Sequence, residues 1–467
     1  MSFASCPCPM PELTPVPSQV DAPPVAATAD RRNGGVRTLW RLTYPIIVGN
    51  LAAVTLTVAD GAVLGHFSTL AVAAVGLASP VAVVATVLAT GWATSVQVLV
   101  ARHRGAGEER AIESAVDVAT VFGILVGGVV AIIVAATASP LMHASTGDNA
   151  VATTASNYLR IVAIGLPLSG AMTALRSALN GMGLTKVTMR AAIGVNLLNV
   201  PIDVGLVYGL GWGAVGAALG TVLALALTLV VLARYTFRRL PGCPRPLRLG
   251  AWRAELPRMW RVGWPETAML ACGYVTSVVL GAVVAGLGLT ALAAWSVLGR
   301  VLPVLWTVVY ACSTGIAILV GQRLGAGDME EAQASLRSGW LVTGSLAAAI
   351  VLPVVVLPDL VFGALSGDGA VVDAAVAARL FLFGQAPLMV ATMVFTGALR
   401  AAGDTRSIMV AATVASYLCS LPASWFLATR LDLGLQGIFL GQFGYWVVRL
   451  TLTHRRYAAK AWMTVSP

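Results

Sequence analysis

The sequence predicts an all-α integral membrane protein, with twelve transmembrane helices in two pseudo-symmetric six-helix bundles. Three observations predict it. First, the 467 residues are 58% hydrophobic and only 11% charged, against roughly 25% charged in an ordinary soluble domain. With a mean hydropathy of +0.84, the chain lacks the polar surface to cover a water-soluble globule. Second, apolar runs of about 20 residues recur, each long enough to cross a ~30 Å hydrocarbon layer as a helix with its backbone groups satisfied internally. Third, the two halves of the chain repeat one another. The segment VQVLVARHRGAGEER begins at Val96 and IAILVGQRLGAGDME at Ile316, an offset of 316 − 96 = 220.

The spans fall near residues 40–65, 71–100, 112–138, 158–180, 186–208, 213–237, 262–287, 291–322, 332–357, 376–399, 406–428 and 433–453. Basic residues set their direction. They cluster before the first span (Arg31, Arg32, Arg37, Arg41), after the second (Arg102, Arg104, Arg110) and densely between the sixth and seventh. The opposite loops hold Arg160, Arg379 and Arg430 but carry Asp148, Asp359, Asp368, Asp373 and Asp432. The positive-inside rule then places both termini in the cytoplasm. The net charge of +10 is therefore chiefly a topogenic signal. It is dispersed over many loop ends, so no nucleic-acid partner is expected.

Outside the spans the chain divides simply. Residues 1–36 are Pro-rich without an apolar run and read as a disordered cytoplasmic tail, not a signal peptide. Residues 37–237 form the first six-helix bundle and 262–455 the second. Between them, 238–261 is a basic linker. Its Trp252, Leu256 and Met259 recur at near-helical spacing, which suits a helix lying in the membrane interface as well as a plain linker. Residues 456–467 are a cytoplasmic tail. The six cysteines are scattered and imply neither disulfides nor a metal site.

The repeat register carries Pro45 to Pro265, Asp148 to Asp368, Pro167 to Pro387, Gly183 to Gly403 and Thr185 to Thr405. Each copy holds six spans, so both start on the same side, related by an axis along the membrane normal. Parallel halves around a cleft are a transporter architecture. The quoted repeat, together with ADGAVLGHFSTLAVAAVGLA (59–78), LNGMGLTK (179–186) and its partner LRAAGDTR (399–406), NVPID (199–203) and GAVGAALGT (213–221), resembles the multidrug and toxic compound extrusion (MATE) family. Its closest resemblance is to the branch of the DNA-damage-inducible F proteins. The similarity covers roughly residues 37–455.

Few acids lie within apolar spans. Asp117 and Glu266 are near cytoplasmic ends, where a carboxylate reaches water; Glu266 is also a candidate for the lining of the inner mouth. Asp60 and Asp203 each lie about five residues from the outer end of an outward-running span, some 7–8 Å deep at 1.5 Å per residue. Two carboxylates at equal depth in one half suggest one polar pocket. Asn199 lies one turn before Asp203 on the same face, Pro201 breaks the local ladder, and Thr221 adds a hydroxyl. Buried acids in membranes mark ion or proton sites more often than structural glue. Low dielectric and a neighbouring like charge both favour the protonated form. The resemblance implies a cation site at Asp60, Asn199, Asp203 and Thr221. The second half has Leu280 where the first has Asp60, and Gly273, Tyr274 and Leu388 in the neighbourhoods of spans 7 and 10 where the resemblance implies acids in sodium-coupled members; the resemblance thus tilts coupling toward H+ without excluding Na+.

Other polar positions are weaker. Arg300 reads as a cavity charge or a structural partner. Gln97 and Asn196 line the cleft or bond between helices. Arg176 and Arg400 are expected to snorkel to the interface, and Pro45 and Pro167 are candidate hinges. A phosphate loop is absent, the histidines do not form a metal cluster by spacing, and no enzyme activity or cofactor is expected beyond the coupling ion. The expectation is a monomeric, multi-pass antiporter of the bacterial inner membrane. It exports amphipathic, cationic organic compounds in exchange for protons or sodium by alternating access. The alternative is a lipid-linked precursor flippase of the same superfamily.

Overall fold

The computed structural model describes residues 33–240, 242–243 and 249–460, and these form twelve long helical segments with one short helix, Pro358–Gly363, in the connection between the ninth and the tenth. In chain order they are α1 (Asn33–Gly65), α2 (Thr69–Ala106), α3 (Glu109–Ser145), α4 (Asn149–Gly181), α5 (Thr185–Gly209) and α6 (Gly213–Arg239). The second six are α7 (Leu249–Ala285), α8 (Leu289–Gly325), α9 (Met329–Val356), α10 (Gly369–Ala401), α11 (Thr405–Thr429) and α12 (Gly434–Ala458). Strands are absent among the described residues. Nine segments are by themselves long and apolar enough to span a bilayer, and α10 is a tenth when counted across its 42° bend. The expected tail at 1–36 lies outside the described residues except for 33–36, which belong to α1 and its approach.

Local chemistry starts and stops the helices at repeated places. The Asp148 carboxylate accepts from the Ala150 and Val151 amides at the start of α4, and Asp368 accepts from Ala370 at the start of α10. Each thus satisfies amides that a helix N-terminus leaves without partners. Gly107 and Gly327 follow α2 and α8 at φ 74° and 78°, and Gly183 and Gly403 both follow α4 and α10 at φ 81°. That left-handed conformation suits glycine at a helix C-terminus.

The repeat register then changes by one residue. Gly211 and Asp432 adopt positive φ, as do Gly213 and Gly434, and both pairs are 221 apart (432 − 211; 434 − 213). Pro201 and Pro422 share this offset. The second half has therefore gained a residue between Thr405 and Pro422. In that stretch α11 widens into a π-helical turn at Ala415–Ser420, which holds one more residue than an α-turn. The bend of α10 falls at Gly384 and Gln385, just before Pro387, whose ring cannot donate to the ladder. Pro45 and Pro167 sit inside unbroken helices.

Both described termini lie at one end, the basic end. There the lobes meet. Leu39, Ile46 and Ile47 of α1 join the core of the second lobe, whereas Leu64 near the far end of α1 packs with Val207 and Ala214 of its own lobe. Glycines mark the cross-lobe approaches at the basic end: Gly263 against Trp92, Gly91 against Thr267 and Gly315 against Thr43.

Candidate functional site

Toward the far end of the first lobe, α1 and α5 bring Asp60 and Asp203 together. Three contacts hold the two helices in register. Asn196 Nδ2 donates to the Ala52 carbonyl, Tyr208 Oη donates to the Val63 carbonyl at 2.7 Å, and the Tyr208 ring meets Phe67 edge-on. Within that frame the Asp60 and Asp203 carboxyls converge on one side chain, Asn199.

Asn199 completes the pocket. It and Asp203 are both 0% exposed. With its amide nitrogen facing the acids, Asn199 donates to Asp60 Oδ1 and to Asp203 Oδ2, both at 3.0 Å. Gly220 of α6 makes room: a Cβ there would collide with Asp203 Oδ1. Thr221 is its neighbour, but the hydroxyl donates to the Ala217 carbonyl of its own helix at 3.0 Å. Tyr158 of α4 packs against the apolar cluster of Leu64, Val207 and Ala214 at the same end of the lobe. Sequence reasoning missed Tyr158, since one aromatic residue in an apolar span gives no signal of its own.

The other predicted positions lie elsewhere. Glu266 forms a buried ion pair with Arg400, Arg400 Nη2 to Glu266 Oε1 at 2.6 Å, and each residue is 1% exposed. Arg400 also stacks over Tyr310, with its guanidinium carbon 5.3 Å from the ring centre. The expected snorkelling of Arg400 is thus corrected: the counter-charge of Glu266 on α7 holds it inside. Arg176 likewise turns inward and donates to Asn50 Oδ1 at 2.6 Å. Gln97 is buried at the basic end, where its carbonyl faces Gly181 of α4. Arg300 is exposed and donates to the Leu365 carbonyl at 3.2 Å. Groups of three or more His, Cys, Asp or Glu able to hold a metal are absent among the described residues.

Two six-helix lobes with a buried acid pair in one of them define a membrane transporter, not an enzyme. The family model described as MatE matches residues 45–204 and again 265–426, and the chain belongs to that family. It is 27% identical over 424 residues to the multidrug resistance protein NorM of Vibrio cholerae, covering 86% of this chain and 91% of that one. It is 25% identical over 446 residues to the multidrug resistance protein PmpM of Pseudomonas aeruginosa, covering 90% and 92%. The crystal structure of the MATE transporter VcmN from Vibrio cholerae superposes with a TM-score of 0.84 at 17% identity, covering 92% of this chain and 98% of that one.

Proposed function

We propose that this transporter exports amphipathic organic cations in exchange for protons, by alternating access in a bacterial inner membrane with both termini cytoplasmic. The observation that carries the reading is the convergence of the Asp60 and Asp203 carboxyls on the uncharged amide of Asn199. A pocket with no fixed counter-charge is neutralised by a mobile one. Protonation removes the charge that would hold a lipophilic cation, so proton entry from outside favours substrate release on that side. Names of relatives, the multidrug resistance proteins NorM and PmpM, support the substrate class. A flippase for pyrophosphate-linked precursors would want a cationic cleft, opposite in charge to this pocket.

The test uses purified protein in liposomes loaded with a lipophilic cation, under an imposed pH gradient and separately a sodium gradient. Proton-driven efflux that is lost in Asp60→Asn and Asp203→Asn is the expected result. Efflux driven by sodium alone would replace the coupling ion. No efflux under either gradient would overturn the reading.

A further inference from the structure

The basic end carries a second device that the acid pair does not use. Two side chains cross from one lobe to the other there, in mirrored fashion. Arg102 Nε, near the end of α2, donates to the Ala401 carbonyl at the end of α10, at 3.0 Å. Gln322 Nε2, in the last turn of α8, donates to the Gly181 carbonyl at the end of α4, at 2.9 Å. Both donors and both acceptors are related by the repeat offset (322 − 102 = 220; 401 − 181 = 220). Each accepting carbonyl ends a helix, where carbonyls lack intrahelical partners and a basic or amide donor is favoured.

The helices that carry these donors also touch along the same symmetry axis. A Cβ on Gly105 would collide with the Gln322 carbonyl, and one on Gly325 with the Arg102 carbonyl; Ala101 Cβ lies 3.2 Å from the position of a Cβ on Gly321. Ala101 and Gly105, and Gly321 and Gly325, are small residues four apart, the spacing that lets two membrane helices approach backbone to backbone.

We propose that Arg102 and Gln322 are paired positioning residues for transport. They fasten α2 to the second lobe and α8 to the first, and their release is the step that opens the cleft at the basic end. Opening there must separate α2 from α8, which breaks both hydrogen bonds and the glycine crossing together. The two bonds close on one axis, so the seal engages as a unit. Equivalence also predicts interchange: position 102 accepts glutamine, because the same geometry already holds glutamine at 322. This inference rests on the two lobes moving, and not on which ion drives them.

The test measures lobe separation directly. Spin labels at Glu109→Cys and Met329→Cys, in a background with the native cysteines replaced by serine, report the distance between the lobes at the basic end. Arg102→Ala should raise the separated population about tenfold and Gln322→Ala about fivefold, a charged donor being the stronger of the two. Arg102→Gln should stay within about twofold of the wild-type distribution, the difference between a charged and a neutral donor, and the exchange Arg102→Gln with Gln322→Arg should keep the wild-type distribution. Gly105→Ala and Gly325→Ala should each separate the lobes. Unchanged distances in Arg102→Ala with Gln322→Ala, or Arg102→Gln as disruptive as Arg102→Ala, would overturn the proposal. Should the alanine variants fail to fold, the donor exchange still decides, since a wild-type distance distribution is required of it. The distances need no substrate, so this outcome is independent of the liposome test.

Discussion

The two lobes share a backbone and divide their charges. In the first lobe, acids meet acids: Asp60 and Asp203 converge on Asn199 near the far end. In the second, the acid meets a base: Glu266 pairs with Arg400 near the basic end. Each arrangement is missing from the other copy. The positions that match Asp60 and Tyr158 are Leu280 and Ala378, both buried and apolar. Asp203 and Gly220 correspond, at the offset of 221, to Ser424 and Gly441, where a Cβ on the glycine would again collide with the side-chain oxygen. Ser424 simply donates to the Ile438 carbonyl at 3.0 Å. Conversely, Glu266, Arg400 and Tyr310 correspond to Ile46, Asn180 and Thr90. A carboxylate neutralised by a guanidinium has no use for a mobile cation. Duplication supplied two equal frames, and only the frame lacking a fixed counter-charge is free to exchange one.

The comparison is broken most severely at the acid pair. Asp203→Asn and Asp60→Asn are expected to lower proton-driven efflux by about a hundredfold or more, equivalent to ~2.8 kcal/mol at 1.4 kcal/mol per decade. Both should leave the melting temperature in detergent within a few degrees of wild type, because an amide still hydrogen-bonds in that pocket. Retained transport in either variant would remove the distinction between the lobes.

The ion pair should respond in stability instead. Arg400→Met leaves Glu266 buried and unpaired, a loss of about 3–5 kcal/mol, read as a large fall in melting temperature. Adding Glu266→Leu should recover much of that loss, since replacing a buried ion pair by apolar residues is often near neutral. Efflux per folded molecule should survive in the double variant. Its abolition there would give the second lobe a coupling role.

Much of this was legible in the residues. The acid pair was visible because its cost in an apolar run is large and its two members sit at equal depth. The repeat was visible because prolines and glycines fix backbone geometry that apolar residues do not. The ion pair was not visible as a pair: each charge lies near a span end, where reaching water is the cheaper reading, and only the tertiary structure brings the α10 arginine to the α7 carboxylate. Tyr158 was hidden among apolar residues. The symmetric bonds of Arg102 and Gln322 were hidden for another reason: arginine and glutamine look unrelated until the register and the two acceptor carbonyls are seen together.

The paired glycines sharpen the contrast at intermediate size. At Gly220 an added Cβ collides with the Asp203 carboxylate and only touches its backbone nitrogen at 3.4 Å, whereas at Gly441 it meets the backbone nitrogen and Cα of Ser424 at 2.5 and 2.7 Å. A carboxylate moves aside and a helix backbone does not. Gly220→Ala should therefore impair transport, by displacing Asp203, with little loss of stability. Gly441→Ala should destabilise by about 1–3 kcal/mol through overpacking with less effect on turnover per folded molecule. Thermal melting and liposome efflux on the same preparations separate the two, and the reverse pattern would contradict the assignment.

The smallest effect concerns the backbone itself. If the extra residue of the second lobe is absorbed in the turn Ala415–Ser420, then deleting one residue there converts a π-turn into an α-turn and leaves both flanks in register. Leu418 is the natural choice, because its side chain is 76% exposed and its removal leaves little behind to repack. Deleting a residue two turns later, at Trp425, instead rotates everything C-terminal to it by about 100°. That turns the buried Ala428 away from its neighbours on α12. The Leu418 deletion should give a folded, transporting protein with a modest shift in melting temperature, and the Trp425 deletion a poorly folded one. Equal damage from both would mean that the one-residue difference between the halves is accommodated elsewhere in α11. It would then follow that the π-turn has a different origin, such as the carbonyls left without donors by Pro422.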